Sequence, residues 1–173
     1  PPNDFVPARL AFNHSDDIVF PGNIVGPGFV RIDGAGTVTL TGNNTYTGGG
    51  TQIPTTINAG TLFINGTNTG SVTVTAGTLG GTGQIGGNVT ANGTLAPGTA
   101  IGTLTIVSNL TITGNLTFEL DKSLAQSNDV AVVGGSINNT GVGILPVANR
   151  GPAIVPGNKF ALFNKPVQNG AAL

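Results

Sequence analysis

From Gly36 to Asp121 the chain is cut into brief segments that read GTVTL, GTLFI, GSVTV, GNVTA, GTLAP, GTLTI, SNLTI and GNLTF. Each opens on a small residue and then alternates polar and apolar side chains, the period-two signature of a half-buried strand. Gly or Asn interrupts every segment before it can grow long. In the last three segments the apolar leaders Leu104, Leu110 and Leu116 stand six residues apart. A strand this short cannot bury its apolar face alone, so neighbouring units must stack on it. The pattern therefore predicts an all-β solenoid of short, stacked parallel strands.

Composition narrows the alternatives. Charged residues make up 8% of the 173-residue chain against 38% hydrophobic, with 29 glycines. Sparse charge with ample apolar side chain does not fit a disordered chain. Glu, Lys and Met, the residues helices are readily built from, are scarce or absent. The net charge of −1 and the lack of any basic run exclude a nucleic-acid surface, which needs clustered Lys and Arg, and an anionic-membrane patch. No apolar run approaches the roughly 20 residues that span a bilayer, so no membrane insertion is expected of this segment. Cysteine is absent, which removes disulfides, thiolate metal sites and cysteine nucleophiles together. Thr, Asn and Gly with little charge favour an extracellular setting. The start at Pro1-Pro2 and the end at Leu173, without a stop signal, suggest a fragment of a longer chain.

Read in order, residues 1–173 form one solenoid domain in three parts. Residues 1–34 read as irregular opening rungs, with a polar corner at His14-Ser15-Asp16-Asp17 and turns at Pro21-Gly22-Asn23 and Gly26-Pro27-Gly28. Residues 35–121 are the regular repeat core. Within it Asn43-Asn44-Thr45-Tyr46 makes a corner, and Ile53 to Ile57 reads as a strand broken at Pro54, which has no N–H to give a ladder. Residues 122–173, richer in Pro and Lys, read as atypical C-terminal rungs that cap the stack. At roughly 20–25 residues per three-faced rung, seven or eight rungs are expected, making a rod roughly 35–40 Å long at about 4.8 Å per layer.

The stretches GAGTVTLTGNNTYTGGGTQIPTTINAGTLFING (34–66) and GTLGGTGQIGGNVTANGTLAPGTAIGTLTI (77–106) resemble the passenger-associated strand repeat of bacterial autotransporters and related giant surface proteins. Both halves of the repeat stand in the family's order, and the likeness covers Leu10 to Asp121. One departure is extra length between Gly50 and Ile57. The resemblance implies a right-handed, single-stranded parallel β-helix displayed at the bacterial cell surface, serving as a spacer or adhesive stalk rather than a catalyst. It identifies no binding residue. An autotransporter's C-terminal membrane barrel is not found in this sequence, and similar repeats occur in surface proteins without one, so the export route stays open.

Several motifs carry possible chemistry. The single His14 lies beside Ser15, Asp16 and Asp17, but neighbours on an extended chain point to opposite faces, so a solvated corner is expected rather than a triad. Gly81-Thr82-Gly83-Gln84-Ile85-Gly86 has dinucleotide-loop spacing, yet a strand segment follows it where a helix N-terminus is needed. Gly80-Gly81-Thr82-Gly83 begins like a calcium-binding nonapeptide but has Ile85 at the carboxylate position. Asp33, Glu119, Asp121 and Asp129 are scattered along the chain, which argues against a glycosidase pair or a metal site. Asn-x-Thr triplets at Asn65, Asn88, Asn92, Asn109 and Asn115 match the glycosylation pattern and are read as ladder residues. Tyr46 is expected to pack over a neighbouring rung. No catalytic, cofactor-binding or metal-ligating residue is assigned, and no cofactor is implied.

Three functions remain in view. The first is a non-catalytic structural or adhesive stalk module that contacts a host cell, a neighbouring cell or a glycan. The second is self-association into an extracellular filament, by rung stacking at uncapped ends or by edge pairing. The third is a polysaccharide-binding or polysaccharide-cleaving solenoid face.

Overall fold

A computed structural model describes residues 7–49 and 53–170, and within them the chain is all-β with no α-helix. Residues 1–6, Gly50 to Gln52 and 171–173 lie outside the described residues, and with them part of the extra length after Gly50.

The strands follow one another coil by coil. The first coil carries β1 (Arg9–Phe12) and β2 (Ile18–Phe20). The second has β3 (Phe29–Ile32), β4 (Thr37–Leu40) and β5 (Asn43–Asn44). The third has β6 (Thr55–Ile57), β7 (Thr61–Ile64) and β8 (Thr67–Asn68), so the strand broken at Pro54 begins just after it. The fourth has β9 (Val72–Val74), β10 (Thr78–Gly81) and β11 (Gln84–Ile85). The fifth has β12 (Val89–Ala91), β13 (Thr94–Pro97) and β14 (Thr103–Ile106). The sixth has β15 (Leu110–Ile112) and β16 (Asn115–Leu116), an excursion through β17 (Phe118–Leu120), and then β18 (Val130–Val133). β19 (Ile137–Asn139) opens a seventh layer, and β20 (Val147–Asn149) pairs back on β17.

Every pairing between these strands is parallel, and like faces stack on like. The first face is a seven-stranded sheet, the second has six strands and the third five. Thus five coils carry a strand on all three faces, fewer than the seven or eight rungs expected from length alone. The difference arises at both ends: the first coil lacks a strand on its third face, and residues 121–129 and 140–170 leave the regular ladder. Seven layers on the first face give a stack of about 29 Å, shorter than expected. One circuit takes 17 residues from Asn65 to Thr82, 20 from Asp17 to Thr37 and 27 from Asn109 to Ser136.

Leu104, Leu110 and Leu116 are all fully buried, but on three different faces, in β14, β15 and β16. Their six-residue spacing is the distance from face to face, not from coil to coil. The interior is made of in-register columns instead. On the second face Val38, Leu62, Leu79, Leu95 and Leu116 stack in one line, each wholly buried. On the first, Ile32, Ile57, Val74, Ala91 and Ile112 do the same.

The third-face column changes character along the rod: Asn44 stacks on Asn68, then Ile85, Ile106 and Val133 follow. Tyr46, which shares the Thr55 hydroxyl with Asn68, is buried as expected. Its hydroxyl needs a partner in a dry interior. Thr55 supplies one from a position that is Val30 in the coil before and Val72 in the coil after.

The C-terminal end is covered. Phe163 and Gln168 bridge to Ala131 and Asn138, Asn164 exchanges hydrogen bonds with the backbone of Val133, and Lys165 Nζ donates to the carbonyls of Gly134 and Gly135. β18 and β19, the last strands of their faces, are each met by one of these bridges, and the N-terminal edge of β1 has no strand partner among the described residues.

Candidate functional site

The corners bear the polar residues that sequence reading singled out. Asn65 Oδ1 accepts from the N–H of Thr82, Asn88 from Asn109, Asn109 from Ser136 and Asn115 from Ile144, each bond reaching the following coil. Asp17 does the same for Thr37. The amides of four of the five Asn-x-Thr triplets therefore stitch coil to coil, the ladder role expected of them. His14 Nδ1 donates to the backbone oxygen of Asp16 at 2.7 Å, within its own corner. Gly81, from the dinucleotide-like loop, exchanges two backbone hydrogen bonds with Gly98 and has φ near +110°, a conformation open to glycine. It closes β10.

Gly98 also borders a cleft. It lies outside the second face and has a volume of about 180 Å³. Thr61, Phe63 and Thr78 point into it from β7 and β10; Ala96 and the loop from Pro97 to Ala100 form one wall; Thr117, Glu119 and Asp129 form the other. The outward side chains of the second face arrange this. Thr37, Thr61, Thr78 and Thr94 stand in one column, and Thr39, Phe63, Gly80 and Ala96 in the next.

Two of the acids scattered in sequence meet here. Asp129 is almost wholly buried; its Oδ1 accepts from Gly102 N at 2.9 Å and its Oδ2 from Glu119 N at 2.6 Å. Burial pushes its carboxyl up from the ordinary value; the two backbone donors pull it back and the Glu119 charge adds to the rise. Glu119 is held by Arg150, with Nη2 at 2.5 Å and Nε at 2.7 Å from Oε1. Asp129 thus ties the loop ahead of β14 to β17, and Arg150 ties β17 to β20. Asp33 instead accepts from Asn58 on another face, and Asp121 accepts from Ser123 in a local turn. Among the described residues, no group of three or more His, Asp or Glu side chains could hold a metal ion. No helix among them is long and apolar enough to cross a membrane.

Sequence reading missed the cleft because its walls lie far apart along the chain: Phe63 and Gly80 are brought together by strand register, and Glu119 and Asp129 by the excursion between them.

No family model matches the chain. A curated protein similar to it is the adhesin BmaC autotransporter of Brucella suis biovar 1 (strain 1330), 44% identical over 78 residues, which is 42% of this chain and 2% of that protein. The chain spans only that small share of the relative's length. The likeness fits the repeat resemblance.

Proposed function

We propose that this chain is a stalk segment of a bacterial surface protein of the autotransporter type, non-catalytic and adhesive through its sides. The observation that carries this reading is the run of five three-faced coils, each bonded to the next by corner side chains. In such a rod stability is summed over neighbouring layers, so length is gained without a larger core. The partial likeness to an autotransporter adhesin supports the surface location and the adhesive role. Small-angle scattering of the isolated chain, together with display of an epitope-tagged fusion on an outer-membrane anchor, tests the reading. An elongated particle and an antibody-accessible tag are expected. A near-spherical particle, or release of sugar from a polysaccharide by the isolated chain, overturns it.

A second reading is self-association, by pairing at the edge of β1, which has no strand partner among the described residues, or by growth into a filament. Sedimentation at rising concentration separates the two: a limit at two copies supports edge pairing, and unlimited growth supports the filament.

A further inference from the structure

We propose that the cleft outside the second face binds a single neutral pyranose ring, such as the terminal sugar of a glycan. The inference rests on the adhesive part of the reading above and supplies its ligand class.

Size is the first argument. Pockets for drug-sized ligands run to roughly 300–1,000 Å³; at about 180 Å³ this cleft has room for one ring.

Chemistry is the second. A pyranose presents an apolar C–H face and a rim of hydroxyls, and the cleft offers a counterpart to each. Phe63 lies against the backbone of Gly80, where an added Cβ would come within 2.8 Å of the ring. The glycine lets the aromatic ring settle on the strand and line the cleft, as a platform for stacking. Pro97 extends the apolar side. Around it stand the hydroxyls of Thr61, Thr78 and Thr117, none of which makes a side-chain hydrogen bond among the described residues, beside the Glu119 carboxylate.

Charge is the third. Arg150 pairs with Glu119 and both Asp129 oxygens accept from backbone N–H groups, so neither carboxylate is left without a partner to draw a cationic sugar. An acidic sugar would meet the carboxylates of Glu119 and Asp129 on the same wall, so a neutral ring is selected. The buried Asp129 holds the loop before β14 and the strand of Glu119 at once, so the walls are fixed before a ligand arrives.

Amide shift mapping and saturation-transfer NMR on the full chain test this, with the methyl glycosides of glucose, galactose, mannose and N-acetylglucosamine, and with N-acetylneuraminic acid as the acidic probe. At least one neutral glycoside is expected to shift the amides of Phe63, Thr78 and Thr117 at millimolar concentration. Phe63→Leu should weaken that binding about tenfold, while Thr90→Val on the first face should leave it unchanged. Thr78→Val, at the cleft surface, repeats the test should Phe63→Leu lower the melting temperature. The proposal is overturned if no neutral glycoside shifts these amides, if N-acetylneuraminic acid binds more tightly, or if both cleft variants bind as the parent does. Scattering on the same samples reads the stalk shape separately, so loss of sugar binding with an elongated particle discards this site and leaves the stalk reading standing.

Discussion

The hydroxyl of Tyr46 stands 2.6 Å from Oγ1 of Thr55, nine residues along the chain, with both side chains sealed from solvent. Asn68 Nδ2 is the other neighbour of that threonine oxygen, at a longer 3.4 Å. Replacing Tyr46 by Phe removes the strong partner and leaves a buried hydroxyl poorly satisfied. We expect Tyr46→Phe to destabilise the fold by about 1–3 kcal/mol, and Tyr46→Phe with Thr55→Val to recover much of that loss, because the unpaired group is then gone. Thermal melts of the two variants check this.

The same burial pushes the Tyr46 phenol up from 10.0 to about 12, the Thr55 bond opposing part of the rise. The folded state thus favours the neutral phenol. Its contribution is fully present below pH 10 and is lost as pH rises from 10 towards 12. Tyr46 is the chain's single tyrosine, so an absorbance titration of tyrosinate reads it directly. The expected midpoint lies near 12 while the fold holds. Over that window the parent should lose more melting temperature than Tyr46→Phe.

Leu79 sits in the middle of the second-face column, between Leu62 and Leu95, with no exposed surface. Its truncation opens a void that both neighbours border. Leu79→Ala should cost about 2–5 kcal/mol. Hydrogen exchange should quicken most in the coils on either side, since each layer touches only its neighbours.

Asp129→Asn keeps the shape of the buried side chain but replaces one of two acceptors with a donor, facing either Gly102 N or Glu119 N. One of those amides then has no partner. Exchange at Gly102 or Glu119 should rise by about tenfold or more, with little change at Val74 on the first face. Equal exchange at all three positions would contradict the role given to Asp129 as a tie between the two cleft walls.

Much of the architecture was legible because strand alternation writes burial into the sequence. The TVTL of β4 and the TLTI of β14 bury their second and fourth residues as their wording requires. What alternation cannot give is register. Leu104, Leu110 and Leu116 share one wording, yet they belong to three faces, because a six-residue spacing closes one side of the coil and not a full circuit. The meeting of Phe63 with Gly80 depends on that register, as does the placing of polar Thr55 between Val30 and Val72. The approach of Asp129 to Glu119 depends on an excursion with no repeat to announce it. The closing layers were hard to count for a similar reason: Phe163 and Gln168 join the stack through single bridges, without the alternation that marks a strand.

Successive circuits of 17 residues, Asn65 to Thr82 and Ser71 to Asn88, carry a further implication. Val72 and Val89 occupy equivalent places, so excising residues 72–88 sets Val89 upon Thr55 with every inward side chain still inward. Genetic gain or loss of one such unit changes the reach of the molecule by a single step of about 4.8 Å without scrambling its interior. The molecule behaves as a ruler graduated in whole turns, and gain or loss of units that share one register is a ready means of resetting its length.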